Sequence, residues 1–284
     1  MSIEDARAVF ERWYETASAA DGMLNAVNSV CADDCVMHLQ NGEVGTRAIA
    51  DLQAAQARAL YPDLSVDIEH VVLAEDRLMI QFELVGTPSL VFRIAQGRGE
   101  FHASGAMIAR IRDREVVEIW QYMNPGAVLT FPPMIDPPPP PVPASAPGTS
   151  EDAATVMRRW QRATSGAELV DSILASALPE CLVHATNSDL GRPTLVEEHF
   201  RIVLAAFPDL VVAFDEGFVS DDRLIVQFIL DGTQRGALGI APASGARVQS
   251  TGAIVARVTA DQRVQELWLY LAPAMGLLFP RRDR

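Results

Sequence analysis

The chain has 284 residues, 49% of them hydrophobic, and a formal net charge of −14. That length suits two domains of ordinary size, and the acidity argues against a protein that tracks nucleic-acid phosphates, which needs a basic face. All 23 basic residues are arginine, so Schiff-base chemistry on lysine and a P-loop lysine are both excluded.

The opening segment, MSIEDARAVFERW, carries acids early and lacks a basic stretch ahead of an apolar one, so a signal peptide is not expected. No apolar run approaches the length of a membrane span. Three cysteines, Cys31, Cys35 and Cys181, do not form a disulfide framework, and a reducing, cytoplasmic setting is expected.

In chain order, Ala6, Val9, Phe10, Trp13 and Ala17 recur at helical spacing and predict an amphipathic first helix. A second helical stretch, 23–32, precedes a short strand, 35–39. Residues 46–60 are alanine-rich and predict a third helix, stopped by Pro62. From Leu64 the pattern becomes that of strands. Leu78, Ile80, Phe82 and Leu84 alternate with Met79, Gln81 and Glu83, the period of a sheet. Further strands are expected near 91–96, 100–112 and 115–123. Residues 132–150 follow, with five consecutive prolines at 137–141. Such a run is stiff polyproline II and reads as a spacer.

Beyond the prolines the whole pattern returns. Glu4-Asp5-Ala6 recurs as Glu151-Asp152-Ala153, and Trp13 as Trp160. Cys35-Val36-Met37-His38 recurs as Cys181-Leu182-Val183-His184. Tyr61-Pro62-Asp63-Leu64 recurs as Phe207-Pro208-Asp209-Leu210. Asp76-Arg77-Leu78 recurs as Asp222-Arg223-Leu224, and Arg110 as Arg257. Glu118-Ile119-Trp120-Gln121-Tyr122 recurs as Glu266-Leu267-Trp268-Leu269-Tyr270. The offset drifts only from 146 (Cys35 to Cys181) to 148 (Glu118 to Glu266). Two long copies mean paired domains, not a solenoid. The expected boundaries are a first copy at 1–134, a linker at 135–150 and a second copy at 151–284. Helices followed by a run of strands give an α+β layout, with helices closing one face of a curved antiparallel sheet over a concave apolar interior.

The second copy is similar to the SnoaL-like polyketide cyclases of the nuclear transport factor 2-like superfamily. The resemblance rests on Phe207-Pro208-Asp209-Leu210, Asp222-Arg223-Leu224, Gly232-Thr233 to Gly236, Gly239-Ile240-Ala241-Pro242, Gly245, Arg257 and Glu266-Leu267-Trp268. The first copy keeps the ends of this signature and lacks its middle, across 88–99. The resemblance implies two tandem cone-shaped domains and a cofactor-free acid/base ring closure of a polyketide-like intermediate, or a related isomerisation or addition, in bacterial secondary metabolism. It also implies a small hydrophobic partner and pairing of the two copies as an internal pseudo-dimer, with a further homodimer open. The family's catalytic acid, just after the last-strand tryptophan, falls on Gln121 and Leu269. A second acid position falls on Asn124 and Ala272. The orienting positions on the preceding strand fall on Gly105 and Met107, and on Gly252 and Ile254.

These positions set the candidate residues. His38 and His184 end the first strand of each copy, where a histidine can shuttle a proton. Their catalytic role is weighed against hydrogen-bonded histidines at the cavity wall. Asp33, Asp34, Glu43 and Asp189 are the nearest acids in sequence. Gln121 is expected to face inward and donate to an enolate oxygen, or to form a polar wall without chemistry. Trp13, Tyr14, Met107, Asn124, Trp160 and Leu269 are the candidate substrate contacts, with core packing as the plainer reading for the aromatic ones. Trp120, Tyr122, Trp268 and Tyr270 are expected on the opposite sheet face. His102 is expected to face outward, and the segment Glu197-Glu198-His199 to lie on the surface. No cofactor and no metal site are expected. The alternative function is a non-catalytic small-molecule binding protein, or one active copy beside a structural one.

Overall fold

A computed structural model describes residues 3–17, 22–39, 44–48, 61–87, 101–123, 145–185, 190–239 and 241–271, with 55, 59, 89 and 139 as single positions. The expected strand near 91–96, most of the third helix at 46–60 and most of the proline-rich linker lie outside the described residues. The chain divides into two units, 1–39 with 43–121 and 40–42 with 122–284.

The first unit opens with α1 (Ile3–Ala17) and α2 (Gly22–Val30). Ala6, Val9 and Trp13 lie at helical spacing and form the buried stripe of α1. Six strands follow: β1 (Cys31–His38), β2 (Val44–Thr46), β3 (Ser65–Leu73), β4 (Arg77–Gly86), β5 (Phe101–Arg112) and β6 (Glu115–Met123). Their order in the sheet is β2-β1-β6-β5-β4-β3. The expected second helix ends earlier than 32, because Cys31 already pairs with Val116 of β6. Asp113 and Arg114 both take positive φ between β5 and β6, the left-handed two-residue turn that matches the twist of a hairpin.

The second unit repeats this order with α3 (Ser150–Trp160), α4 (Gly166–Ser176), β7 (Ala177–His184), β8 (Leu190–Gly191) and α5 (Thr194–Ala206). It continues with β9 (Val211–Ser220), β10 (Arg223–Thr233), β11 (Arg247–Val258) and β12 (Val264–Leu271). Its sheet order is β8-β7-β12-β11-β10-β9. Thr149 caps α3 in a full capping box with Asp152. Residues 146–148 run beside the end of β11, where Gly148 N–H donates to Val258 O at 2.8 Å.

Each sheet is mixed, a correction to the expectation of purely antiparallel pairing. β1 runs parallel to β6, and β7 parallel to β12, while the other pairs are antiparallel. The strand after the first helices docks beside the last strand of its unit, and that long-range pairing sets its direction.

Alternation sorts each sheet into two faces. In the second unit Leu224, Val226, Phe228 and Leu230 of β10 join Ile254 and Ala256 of β11 in one buried core with the helices. Leu267 and Leu269 of β12 share that core. Register places Leu78, Ile80 and Phe82 beside Ala109, Met107 and Gly105 on the equivalent face of the first unit. Helix α1 packs across β3, β4 and β5 of its own sheet.

Candidate functional site

The helix-facing side of the two sheets differs at one position of the last strand, where Gln121 stands in the first unit and Leu269 in the second. In the second unit it is sealed by apolar groups. Leu269, Ile254, Phe228 and Leu230 are exposed by no more than 2%. The Phe228 ring lies so close over Gly252 that a Cβ there would stand 2.5 Å from it. Glycine at this position is therefore a packing requirement.

In the first unit the corresponding residues are Gln121, Met107, Phe82 and Leu84. The last three keep 6–7% exposure, and Gln121 is half-buried. Gln121 Oε1 is buried with no hydrogen-bond partner among the described residues. An unsatisfied buried carbonyl costs about 1–3 kcal/mol, so it marks either a stability loss or a contact waiting for a ligand. An amide can present either end by rotation about its last bond. It can therefore accept from a ligand hydroxyl or donate to a ligand carbonyl.

Trp13 and Trp160 lie in the buried stripes of α1 and α3, with Trp13 4% and Trp160 0% exposed. They are unequal in their polar contacts. Trp160 Nε1 donates to Ser176 Oγ at 2.8 Å, and Ser176 Oγ donates onward to Ser172 O. Val30 holds the place of Ser176 in the first unit, and Trp13 Nε1 has no partner among the described residues. Tyr14 is half exposed and lies beside Phe10 along its own helix, with the two rings tilted by 33°. It belongs to the outer side of α1, because it is one position beyond the buried stripe. Asn124 lies outside the described residues.

The two histidines are elsewhere. His38 is in register with Trp120 of β6, and His184 with Trp268 of β12. Directly registered residues share a face, so both imidazoles lie on the side of the sheet away from the helices. The expectation that they line the helix-covered interior is corrected on this ground. Each sits in a built polar cluster. His38 Nε2 meets Glu118 Oε1 at 2.7 Å, and Arg110 pairs with the other Glu118 oxygen. Arg77 and Arg110 both lie over the Trp120 ring.

In the second unit His184 Nε2 meets Glu266 Oε1 at 3.0 Å, and Arg257 Nη1 meets Glu266 Oε2 at 3.3 Å. Arg257 also reaches Asp222, and Arg223 covers the Trp268 ring. Burial, the largest single influence, pushes the Glu266 carboxyl up. The hydrogen bonds and charges of His184 and Arg257 overcome it and hold the group below its ordinary value.

Glu118 and Glu266, not the acids adjacent in sequence, are the partners of the histidines. Asp33 pairs instead with Arg47 at 3.1 Å on the surface. Glu43 and Asp189 lie outside the described residues. The signal was present in the repeat, since His38, Arg77, Arg110, Glu118 and Trp120 are all duplicated as a set.

Two further expectations are settled by burial. His102 is exposed and pairs with Glu83 at 3.1 Å. His199, expected on the surface, is 3% exposed within α5. It shares the inward stripe of that helix with Phe200, Val196 and Val203. Burial pushes its pKa down to about 4, so the imidazole is neutral at pH 7. Among the described residues no group of three His, Cys, Asp or Glu side chains is arranged to hold a metal ion, and no helix is long and apolar enough to cross a membrane.

Comparison with known families matches residues 10–119 to the SnoaL-like domain and residues 154–273 to the SnoaL-like polyketide cyclases. No curated protein matches the chain. Among solved structures, AclR from Streptomyces galilaeus, a proposed hydroxylase, is 19% identical with a TM-score of 0.39, covering 47% of this chain and 100% of its own. A proposed SnoaL-like polyketide cyclase from Jannaschia Sp. CCS1 is 21% identical with a TM-score of 0.38, covering 45% of this chain and 90% of its own. IdmH from Streptomyces antibioticus, a proposed polyketide cyclase, is 21% identical with a TM-score of 0.33, covering 41% and 89%.

Proposed function

The chain is a tandem of two SnoaL-like domains, the second of which matches the SnoaL-like polyketide cyclases, and from that premise we propose that its first domain binds a small, hydrophobic, polyketide-like molecule and promotes its ring closure by positioning. The second domain is the structural copy in this reading. The observation that carries it is the exchange at one position of the last strand. Gln121 presents a buried, unpartnered amide oxygen in the first unit, whereas its counterpart Leu269 is sealed into the core.

The chemistry follows from what the helix-facing surface offers. Met107, Phe82 and Leu84 supply an apolar wall that keeps some exposure, suited to a flat, largely apolar ligand. Gln121 supplies one hydrogen bond, which fixes the ligand's rotation on that wall. A flexible polyketone held with its reacting carbons close together closes its ring with much of the entropic cost already met. The amide can also stabilise charge on an enol or enolate oxygen. No metal or organic cofactor has a role in this scheme.

The test is a structure of the full chain soaked with a dihydroxyanthraquinone. The expected ligand lies against Met107 with an oxygen at hydrogen-bond distance from Gln121. A ligand seated against Leu269, or beside His38 or His184, would overturn the assignment.

A second reading, binding without turnover, is favoured by one observation. The helix-facing residues Leu78, Ile80, Phe82, Leu84, Met107 and Ala109 are apolar, and Gln121 beside them is an amide that does not exchange a proton near neutral pH. Incubating the protein with a linear poly-β-ketone separates the two readings. Cyclised product above the uncatalysed rate supports ring closure, and unchanged decay with retained binding supports sequestration.

A further inference from the structure

The first unit carries a pair of thiols that the ligand-binding scheme does not use. Cys31 and Cys35 are both buried and both free. Their spacing along β1 would normally hold them well apart, since four strand residues span about 13 Å. The strand is not regular there. Cys31 registers with Val116 and Val36 registers with Glu118. β1 therefore advances five residues while β6 advances two, and the excess is taken up in a bulge.

Two residue rises span about 7 Å, so the bulge folds Cys35, the residue before Val36, back toward Cys31. The two thiols share a hydrogen bond. The second unit has the same bulge, with Ala177 registered to Val264 and Leu182 to Glu266. There the equivalent pair is Ala177 and Cys181. The chain thus contains its own reference, the same backbone with one thiol instead of two.

We propose that Cys31 and Cys35 form a redox couple, closing to an intrachain disulfide when a small hydroperoxide oxidises them. The thiolate of Cys35 attacks the peroxide and the O–O bond breaks. Cys35 becomes a sulfenic acid, and the departing alkoxide takes up a proton as an alcohol, or as water from hydrogen peroxide. The Cys31 sulfur then displaces the sulfenic oxygen as water and the S–S bond forms. In total two thiols lose two protons and two electrons, and one hydroperoxide becomes one alcohol and one water.

Burial of both sulfurs selects a small oxidant over bulky disulfides. The shared hydrogen bond favours Cys35 as attacker: it holds the Cys35 thiol below its ordinary value and, together with burial, pushes Cys31 up. Asp33 and Asp34 at the bulge are exposed, so the segment between the sulfurs borders solvent.

The test treats the full chain with hydrogen peroxide, blocks remaining thiols after denaturation, and reads the mass of arginine-cleaved peptides. Cys31 and Cys35 fall on one such peptide and Cys181 on another. The expected wild-type result is a Cys31–Cys35 peptide lighter by two hydrogens, restored by dithiothreitol, with Cys181 still free. Cys31→Ala, which reproduces the arrangement of the second unit, is expected to stop at a dimedone-reactive Cys35. Cys181→Ala is expected to oxidise as the wild type does. Three free thiols after treatment, over-oxidised Cys35 beside a free Cys31, or linkage between chains would each overturn the proposal. None of these readouts depends on ligand binding.

Discussion

His38 lies flat on Trp120, with ring centroids 4.8 Å apart and planes 3° from parallel. His184 repeats the contact on Trp268 at 4.7 Å and 10°. A histidine stacked on an indole and hydrogen-bonded to a glutamate is held in place on both counts. The duplication of the entire group in both domains, including the domain sealed by apolar side chains, is what a role in holding the sheet predicts.

Removing His184 should therefore cost stability and leave binding alone. His184→Ala loses a ring stack and a hydrogen bond to a charged group and leaves Glu266 with Arg257 alone. A loss of about 2 kcal/mol is expected, read as a lower unfolding midpoint, with ligand affinity within twofold of wild type. His38→Ala should behave alike.

Acid should act on the same cluster through Glu266. Its folded-state pKa lies below the ordinary carboxylate value. The unfolded state therefore binds more protons in acid. The stabilisation is fully present above about pH 4.5 and is lost as pH falls through the folded value. Glu266→Gln should be less stable than wild type near neutrality and should lack this component of acid unfolding, measured by denaturation at a series of pH values.

His199 gives a second, higher window. Its folded pKa is about 4, against an ordinary value near 6.5. The unfolded state takes up the extra proton between those values, so stability falls as pH drops from about 6.5 to 4, by roughly 3 kcal/mol in total. His199→Leu should flatten the stability profile across that range. An unchanged slope would show that the imidazole is not buried as described.

The Trp160–Ser176 hydrogen bond is buried at 2.8 Å. Ser176→Ala leaves the indole N–H without its partner and should destabilise the chain by about 1–2 kcal/mol. Val30→Ala in the first unit removes no hydrogen bond, and its cost should follow lost apolar burial alone. Urea denaturation of both variants reads the difference.

Much of this architecture is legible in the sequence alone. The matched pairs Cys35 and Cys181, Trp13 and Trp160, and Glu118 and Glu266 fixed the duplication. The alternation of Leu78, Ile80 and Phe82 against Met79 and Gln81 assigned β4 and its faces. Helix α1 was readable from Ala6, Val9 and Trp13, and Tyr14, one position on, falls outside that buried stripe.

What local pattern does not carry is long-range register. The face taken by His38 depends on β1 running parallel to β6 with three extra residues bulged out, and because side chains alternate, an odd insertion reverses the face. The partners Glu118 and Arg110 are brought to His38 by that pairing. His199 is charged company in sequence, beside Glu197 and Glu198, but its position in the helical turn aligns it with Phe200 and Val203.

The central claim is that Gln121 makes the first domain the ligand-binding one. It is tested most directly by calorimetric titration of a dihydroxyanthraquinone into the wild-type chain and into Gln121→Leu, which installs the second domain's residue. One site per wild-type chain is expected, with affinity at least about tenfold weaker in the variant, as befits loss of a buried hydrogen bond worth about 1.4 kcal/mol. The variant's unfolding midpoint should hold or rise, because an unsatisfied buried oxygen is removed. Two equal sites per chain, or undiminished affinity in Gln121→Leu, would contradict the account.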